Sequence, residues 1–239
     1  MTDLPLPVMR RRGPMATERI TVKRAALRLR IIDVALKAFA AQGFENTKTA
    51  DIADQLQMTG PALYHYFATK NELLFACLSQ IMDQLLASAT SASTGTAGPR
   101  ERLASVVRTQ VAIELKYGST APLINAHLYG PKYLTQMVEE GNQALLQQKQ
   151  RALVYIYRNL IAEGIDAGDF VPGDIKIAAF NVLAIIQYSG VWYRPKKGRK
   201  SLDVIEAQVG AVMNMLGAAE ENPRPLRTRT KPRTTGEAS

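Results

Sequence analysis

The residues able to do chemistry in this 239-residue chain are few and poorly spaced for catalysis. One cysteine, Cys77, excludes an intrachain disulfide framework, and with only two histidines, His65 and His127, it leaves no ligand set for zinc. No serine stands in a Gly-x-Ser-x-Gly setting, and no glycine-rich loop is placed to cradle a phosphate. Gly164, Gly168 and Gly173 read as helix stops. His127, in the stretch NAHLYG, reads as a core or pocket histidine rather than a catalytic one, and Cys77 as packing. These residues predict no enzyme, no metal and no cofactor.

The charged residues are more informative. The formal charge is +9, and between Arg10 and Arg30 eight basic residues face a single acid, Glu18. Such a block suits a polyanion, because each phosphate neutralised releases condensed counterions. A solvated arm with no partner fits the charge equally well. A second cluster able to meet an anion lies at residues 59–72. Thr59 stands before Gly60-Pro61-Ala62 as a helix N-cap, with Pro61 in the first turn, where its missing N–H is not needed. Thr69-Lys70-Asn71-Glu72 has the form of a capping box, which sets free amides and a lysine side by side, and helix N-termini are natural phosphate sites.

The elements that must hold these residues follow from the periodicity. Thr49, read as an N-cap, and Asp51 open a helix barely two turns long with Ile52, Ala53 and Leu56 as its apolar stripe. After a turn at Leu56–Thr59, a second short helix carries Leu63, Tyr66 and Phe67 on one side and Gly60, Ala62, Tyr64 and His65 on the other. Two such helices bury their stripes only against each other and the longer helix before them. This is a helix-turn-helix arrangement, whose second helix is narrow enough for a major groove about 12 Å wide.

On these residues the segment from Ile31 to Leu74 resembles the DNA-binding domain of the TetR family of bacterial transcriptional regulators. The likeness lies in ALKAFAAQGFENTKTADIA, the turn, ALYHYF and TKNELL. One departure stands at Leu56-Gln57, where family members often have Ala-Gly, so the turn must take a conformation that Gln57 tolerates. The resemblance implies a sequence-specific, double-stranded DNA-binding regulator of the bacterial cytoplasm and nucleoid. It is expected to act as a homodimeric repressor released from a palindromic operator by a small hydrophobic effector. Thr49, Tyr64, His65 and Lys70 are then expected at the DNA backbone. Bases would be met by the helix Gly60–Tyr66, with Thr59, Gly60, Pro61, Ala62 and Tyr66 completing the contact set, and Arg10–Arg12 are candidates for a minor groove.

The remaining chain reads as all-α. Helices are expected at roughly 22–42, 50–56, 60–66, 70–89, 100–116, 120–129, 132–166, 174–193 and 201–217, about nine in all, with turn residues between them. The predicted division is a flexible basic arm at 1–19, a DNA-binding domain at 20–75, an effector-binding and dimerisation domain at 76–218 and a disordered basic tail at 219–239. No apolar run approaches the roughly 18–20 residues of a membrane span, and no apolar segment follows the N-terminal arginines to make a signal peptide. The helix Ile175–Trp192 is apolar nearly all round and Ser201–Gly217 is amphipathic. The resemblance places both in a four-helix dimer interface, where Ala179, Ala184, Ser189, Gly190, Gly210 and Ala211 would admit close approach.

It also implies an effector pocket, for which Leu123, His127, Leu128, Tyr155, Tyr157, Phe180, Leu183, Gln187 and Trp192 are the candidates. The C-terminal stretch with Trp192-Tyr193-Arg194-Pro195, Gly198-Arg199 and Ser201 looks like members that respond to acyl-CoA thioesters of fatty-acid or sterol breakdown. The basic residues of Arg194–Lys200 are then candidates for the CoA phosphates, although a solvated loop explains them too. Two other classes remain: an enzyme on a helical bundle, which lacks its acid pair or nucleophile, and a basic helical adaptor, which the helix-turn-helix spacing disfavours.

Overall fold

The computed structural model describes residues 14–129, 138–194 and 201–217. Among them are nine α-helices and no strand. They are α1 (Pro14–Gln42), α2 (Thr49–Gln55), α3 (Gly60–Tyr64), α4 (Lys70–Ser93), α5 (Pro99–Tyr117), α6 (Ala121–Tyr129), α7 (Glu140–Asp166), α8 (Ile175–Trp192) and α9 (Ser201–Met215), with a single 3₁₀ turn at Gly118–Thr120.

Most boundaries fall where caps and glycines put them, and four do not. The helix expected over 132–166 is, in its described part, non-helical at Val138 and Glu139 and begins at Glu140. Residues 14–19, expected in a mobile arm, are helical, because α1 begins at Pro14 rather than near residue 22. A proline is at home in a helix's first turn, and neither Gly nor Pro interrupts the chain again until Gly43, which ends α1 with φ +81°. The recognition element α3 stops at Tyr64, not Tyr66. Helix α4 runs on to Ser93 through a run of small residues and stops before Gly95, whose φ is +123°. Residues 10–12, 195–200 and the tail at 219–239, for which the sequence raised an arm, a CoA-binding loop and disorder, lie outside the described residues.

Helix α4 is the spine. Leu73, Leu74, Cys77, Leu78, Ile81, Met82, Leu85 and Ala89 are all buried, and the helix packs on α1 near its start and on α5 and α7 further along. Each such leucine or isoleucine contributes about 1.5–3 kcal/mol by leaving water. The Cys77 thiol donates to the Ile32 carbonyl of α1 across 3.6 Å, and burial pushes its ionisation well above the usual thiol range. It is packing, as the sequence implied. Beyond α4, α5 is gripped from both sides. Arg108 donates to Glu101 and to Glu206 of α9, at 2.9 Å each, while Arg102 pairs with Glu163 of α7.

Helix α8 approaches α5 and α6 so closely that a Cβ on Gly190 would lie 2.7 Å from the Ala121 Cβ and 2.8 Å from the Glu114 carbonyl oxygen. Gly190, with buried Ala179 and Ser189, therefore serves packing inside the subunit, whereas Ala184 and Ala211 are exposed and Gly210 is half-buried. The outer side of α8 and α9 is apolar: Ile177, Phe180, Tyr188 and Trp192 on α8 and Leu202 on α9 are about half to two-thirds exposed. Two helices, Lys70–Ser93 and Ile175–Trp192, are long and apolar enough for a membrane span by length and composition alone. Neither is an unbroken apolar run, because Ser79, Gln80, Asp83 and Gln84 interrupt one and Asn181 and Gln187 the other. Helix α4 spends that apolar surface on the core.

Candidate nucleic-acid interface and ligand cleft

The reader at residues 49–67 is built by its caps and its buried stripes. Ile52, Ala53, Leu56, Leu63 and Phe67 are buried together with Ile31, Ala35 and Phe39 of α1, which leaves the far side of α3 outward. The Thr59 hydroxyl accepts from the Ala62 amide at 3.4 Å, the cap expected from the sequence. Thr49 does not cap α2. It is the first helical residue, behind Lys48, and its hydroxyl instead pairs with the Tyr64 hydroxyl at 3.0 Å. That bond joins the N-terminus of α2 to the outer side of α3 and holds two expected backbone contacts together.

The turn resolves the departure at Leu56-Gln57. Gln57 takes φ +57°, the single non-glycine residue with positive φ among those described, and thus adopts the left-handed conformation that a glycine would supply freely. The Met58 amide returns to the Ala53 carbonyl at 2.9 Å and closes the turn.

Tyr64 is 49% exposed, and His65, Thr59 and Pro61 are exposed as well; Gly60, Ala62 and Tyr66 are half-buried. Thr69 accepts from the Glu72 amide at 3.0 Å, while the Glu72 carboxylate accepts from the Ala68 amide at 2.7 Å, which makes a capping box displaced by one residue on its return bond. Lys70 is held at two points. Its ammonium donates to the Glu45 carbonyl at 3.1 Å and sits 4.5 Å from the centroid of the Phe44 ring. Two arginines that the sequence reading left within a general basic block have specific places here. Arg24 lies 5.7 Å over the Tyr66 ring and Arg28 4.7 Å over the Phe67 ring. The available signal was their spacing, since they precede Ile32 on α1 at successive four-residue steps. Tyr64 and His65 are thus exposed on α3, the Lys70 cation stands at the start of α4 and the Arg24 cation lies against Tyr66.

The second feature is a cleft of about 800 Å³ between α7 and α8, lined by Gln147, Gln150, Arg151, Val154, Tyr155, Arg158, Phe180, Leu183, Ala184 and Gln187. Of the effector candidates, the structure brings together Tyr155, Phe180, Leu183 and Gln187. Tyr157 does not line it: two residues from Tyr155, it points the opposite way and is wholly buried in the core. Leu123 packs against the core from α6, and Trp192 stands half-exposed at the end of α8, edge-on to Tyr193. His127 and Leu128 line a separate cavity of about 20 Å³ with Val138, Gln143 and Leu146, and Gln147 and Gln150 border both spaces. Missed from the sequence were Arg151 and Arg158, although Gln147, Gln150, Arg151, Val154, Tyr155 and Arg158 recur at three- and one-residue steps along one helix face.

A profile of the bacterial regulatory proteins of the tetR family matches residues 31–77, and a profile described as the tetracyclin repressor-like C-terminal domain matches residues 96–216. The HTH-type transcriptional repressor KstR2 of Mycobacterium tuberculosis is 25% identical over 167 residues, covering 69% of this chain and 80% of that protein. The crystal structure of a bacterial regulatory protein in the tetR family from Rhodococcus RHA1 superposes with a TM-score of 0.72 at 25% identity, over 81% of this chain and 98% of that one. AibR, solved in complex with isovaleryl coenzyme A and operator DNA, shares the fold with a TM-score of 0.67 at 22% identity, over 77% of this chain and 96% of its own.

Proposed function

The protein belongs to the tetR family of bacterial regulatory proteins, a family of DNA-binding transcriptional regulators rather than enzymes, and from that membership we propose that it is a homodimeric repressor released from a palindromic operator by an amphipathic effector. The proposed division of labour assigns residues 20–75 to DNA, with the arm before them, and 76–218 to effector and dimer. The observation that carries the DNA reading is the outward face of α3, where exposed Tyr64 and His65 stand beside Lys70 and the Arg24–Tyr66 stack. With Gly60, Pro61 and Ala62 at its start, α3 offers few bidentate side chains, so apolar contact with thymine methyls and Tyr64 and His65 at the backbone carry recognition.

The apolar outer face of α8 and α9 supports the dimer, since a face of this kind is stable only when covered. Two-fold symmetry then sets the two readers on half-sites one helical turn or a multiple apart. The α7–α8 cleft supports the effector reading: apolar walls of Phe180, Leu183 and Val154 stand beside two cations, Arg151 and Arg158. That chemistry fits an acyl chain joined to a phosphate-bearing head, as in an acyl-CoA, and the repressor would work in the cytoplasm at the nucleoid.

The test is selection of bound fragments from the organism's own DNA, followed by titration of the bound complex with isovaleryl-CoA and octanoyl-CoA. A common palindrome among the fragments, and its release by an acyl-CoA, are the expected results. Binding indifferent to DNA sequence and lost in moderate salt would sink the repressor reading in favour of a basic adaptor.

A further inference from the structure

Helix α6 is tied to the cleft wall by two side-chain amides. Gln150 of α7 donates to the Leu128 carbonyl, which lies in the last turn of α6, where carbonyls lack helical partners. Asn125 of α6 donates to the Gln187 carbonyl of α8 at 3.1 Å. Gln150 and Gln187 both line the cleft. Between these ties sits His127, 6% exposed. Its Nδ1 lies 2.9 Å from the Leu123 carbonyl oxygen, which only accepts, so Nδ1 carries the proton and Nε2 is left as an acceptor. Nε2 is buried with no hydrogen-bond partner among the described residues, and so is the Asn125 Oδ1.

Two buried acceptors without donors, one of them lining the small cavity that shares Gln147 and Gln150 with the cleft, make a costly arrangement that a ligand donor would relieve. The cavity of about 20 Å³ has room for one water-sized group. On its other side the His127 ring meets Phe44 edge-on, with centroids 6.4 Å apart, and Phe44 is the ring that carries the Lys70 ammonium.

We propose that His127 receives a hydrogen-bond donor at the inner end of the effector and, by moving against Phe44, resets the Lys70 contact with DNA. This rests on the reading of the α7–α8 cleft as the effector site. It adds the ligand's chemistry: an apolar body with an anionic group at one end, facing Arg151 and Arg158, and a hydroxyl or amide N–H at the other. It also assigns His127 as a positioning residue for a phosphate contact that it does not itself touch.

The full-length protein is titrated by calorimetry with decanoate and with 10-hydroxydecanoate, and binding of a labelled mixed-sequence 30-base-pair duplex is followed at low salt. The wild type is expected to bind the hydroxylated acid about fivefold more tightly, the worth of one buried hydrogen bond, and to lose duplex affinity when it binds. His127→Phe keeps a ring against Phe44 and removes the acceptor, so the fivefold preference for the hydroxylated acid disappears. Lys70→Ala keeps the preference, but its weaker duplex binding no longer responds to the ligand. Equal affinity of the wild type for the two acids overturns the proposal and leaves the effector cleft standing, as does a preference that survives His127→Phe. A wild type that binds neither acid overturns the proposal, and the cleft reading falls with it when octanoyl-CoA also fails to bind.

Discussion

Three side chains show how single residues set the behaviour of the reader and the body. Gln57 holds a left-handed backbone at φ +57° in the turn before α3, a conformation that costs a residue with a Cβ about 1 kcal/mol. Gln57→Gly is expected to raise stability by up to about 0.5 kcal/mol in urea unfolding, the strain relieved being largely offset by the added freedom of the unfolded chain. Lys70, fixed by the Glu45 carbonyl and the Phe44 ring, is proposed to present one cation per subunit to a phosphate. Lys70→Ala should weaken binding to all duplexes and reduce the slope of log K against log salt by about 0.9 for each subunit of the dimer, about 1.8 in all; an unchanged slope removes Lys70 from the phosphate contacts. Glu114 is different. Burial pushes its carboxyl from 4.5 up to about 8, so the folded chain keeps a proton that the unfolded chain has released between those values. Stability is therefore unaffected by this group below about pH 4.5 and falls as pH rises through 8. Glu114→Gln should flatten that loss, by on the order of 3 kcal/mol between pH 5 and pH 9 in denaturant unfolding.

At the scale of elements, what was legible in the sequence was what local chemistry decides. The Thr59 cap, the Thr69–Glu72 box, the stripes of α2 and α3 and the stop at Gly43 depend on residues within a few positions of one another, and each stands as read but for the return bond of the box, which Ala68 donates in place of Thr69. The start of α1 departs from the flexible arm expected at 1–19, because the last proline of that stretch, Pro14, sits where a helix accepts one. Thr49 was misread because its partner, the Tyr64 hydroxyl, is fifteen residues away on another helix. The cleft was legible only in part for the same reason. Phe180, Leu183 and Gln187 repeat on α8, but which face of α7 they meet depends on how α7 packs on α4 and α5, and no local pattern states that Tyr155 faces the cleft while Tyr157 faces the core. Gly190 carries the same lesson, as a small residue expected at a dimer interface that closes α8 onto α5 and α6 within one subunit.

At the scale of the whole molecule, the outer face of α8 and α9 is the surface that a second copy is proposed to cover. Tyr188, 67% exposed at its middle, is the residue to challenge. Tyr188→Arg should leave the helical content unchanged, shift sedimentation from dimer to monomer, and reduce operator affinity by well over tenfold, since one half-site then binds without its mate. A variant that stays dimeric moves the interface elsewhere. The joint between reader and body has its own consequence, because the sulfur of Cys77 is sealed where α4 meets the Ile32 carbonyl of α1. The molecule thereby carries a native stopwatch: a thiol-reactive dye can mark it only in the instants when those two helices part, so the speed of colour formation counts such partings without any foreign probe.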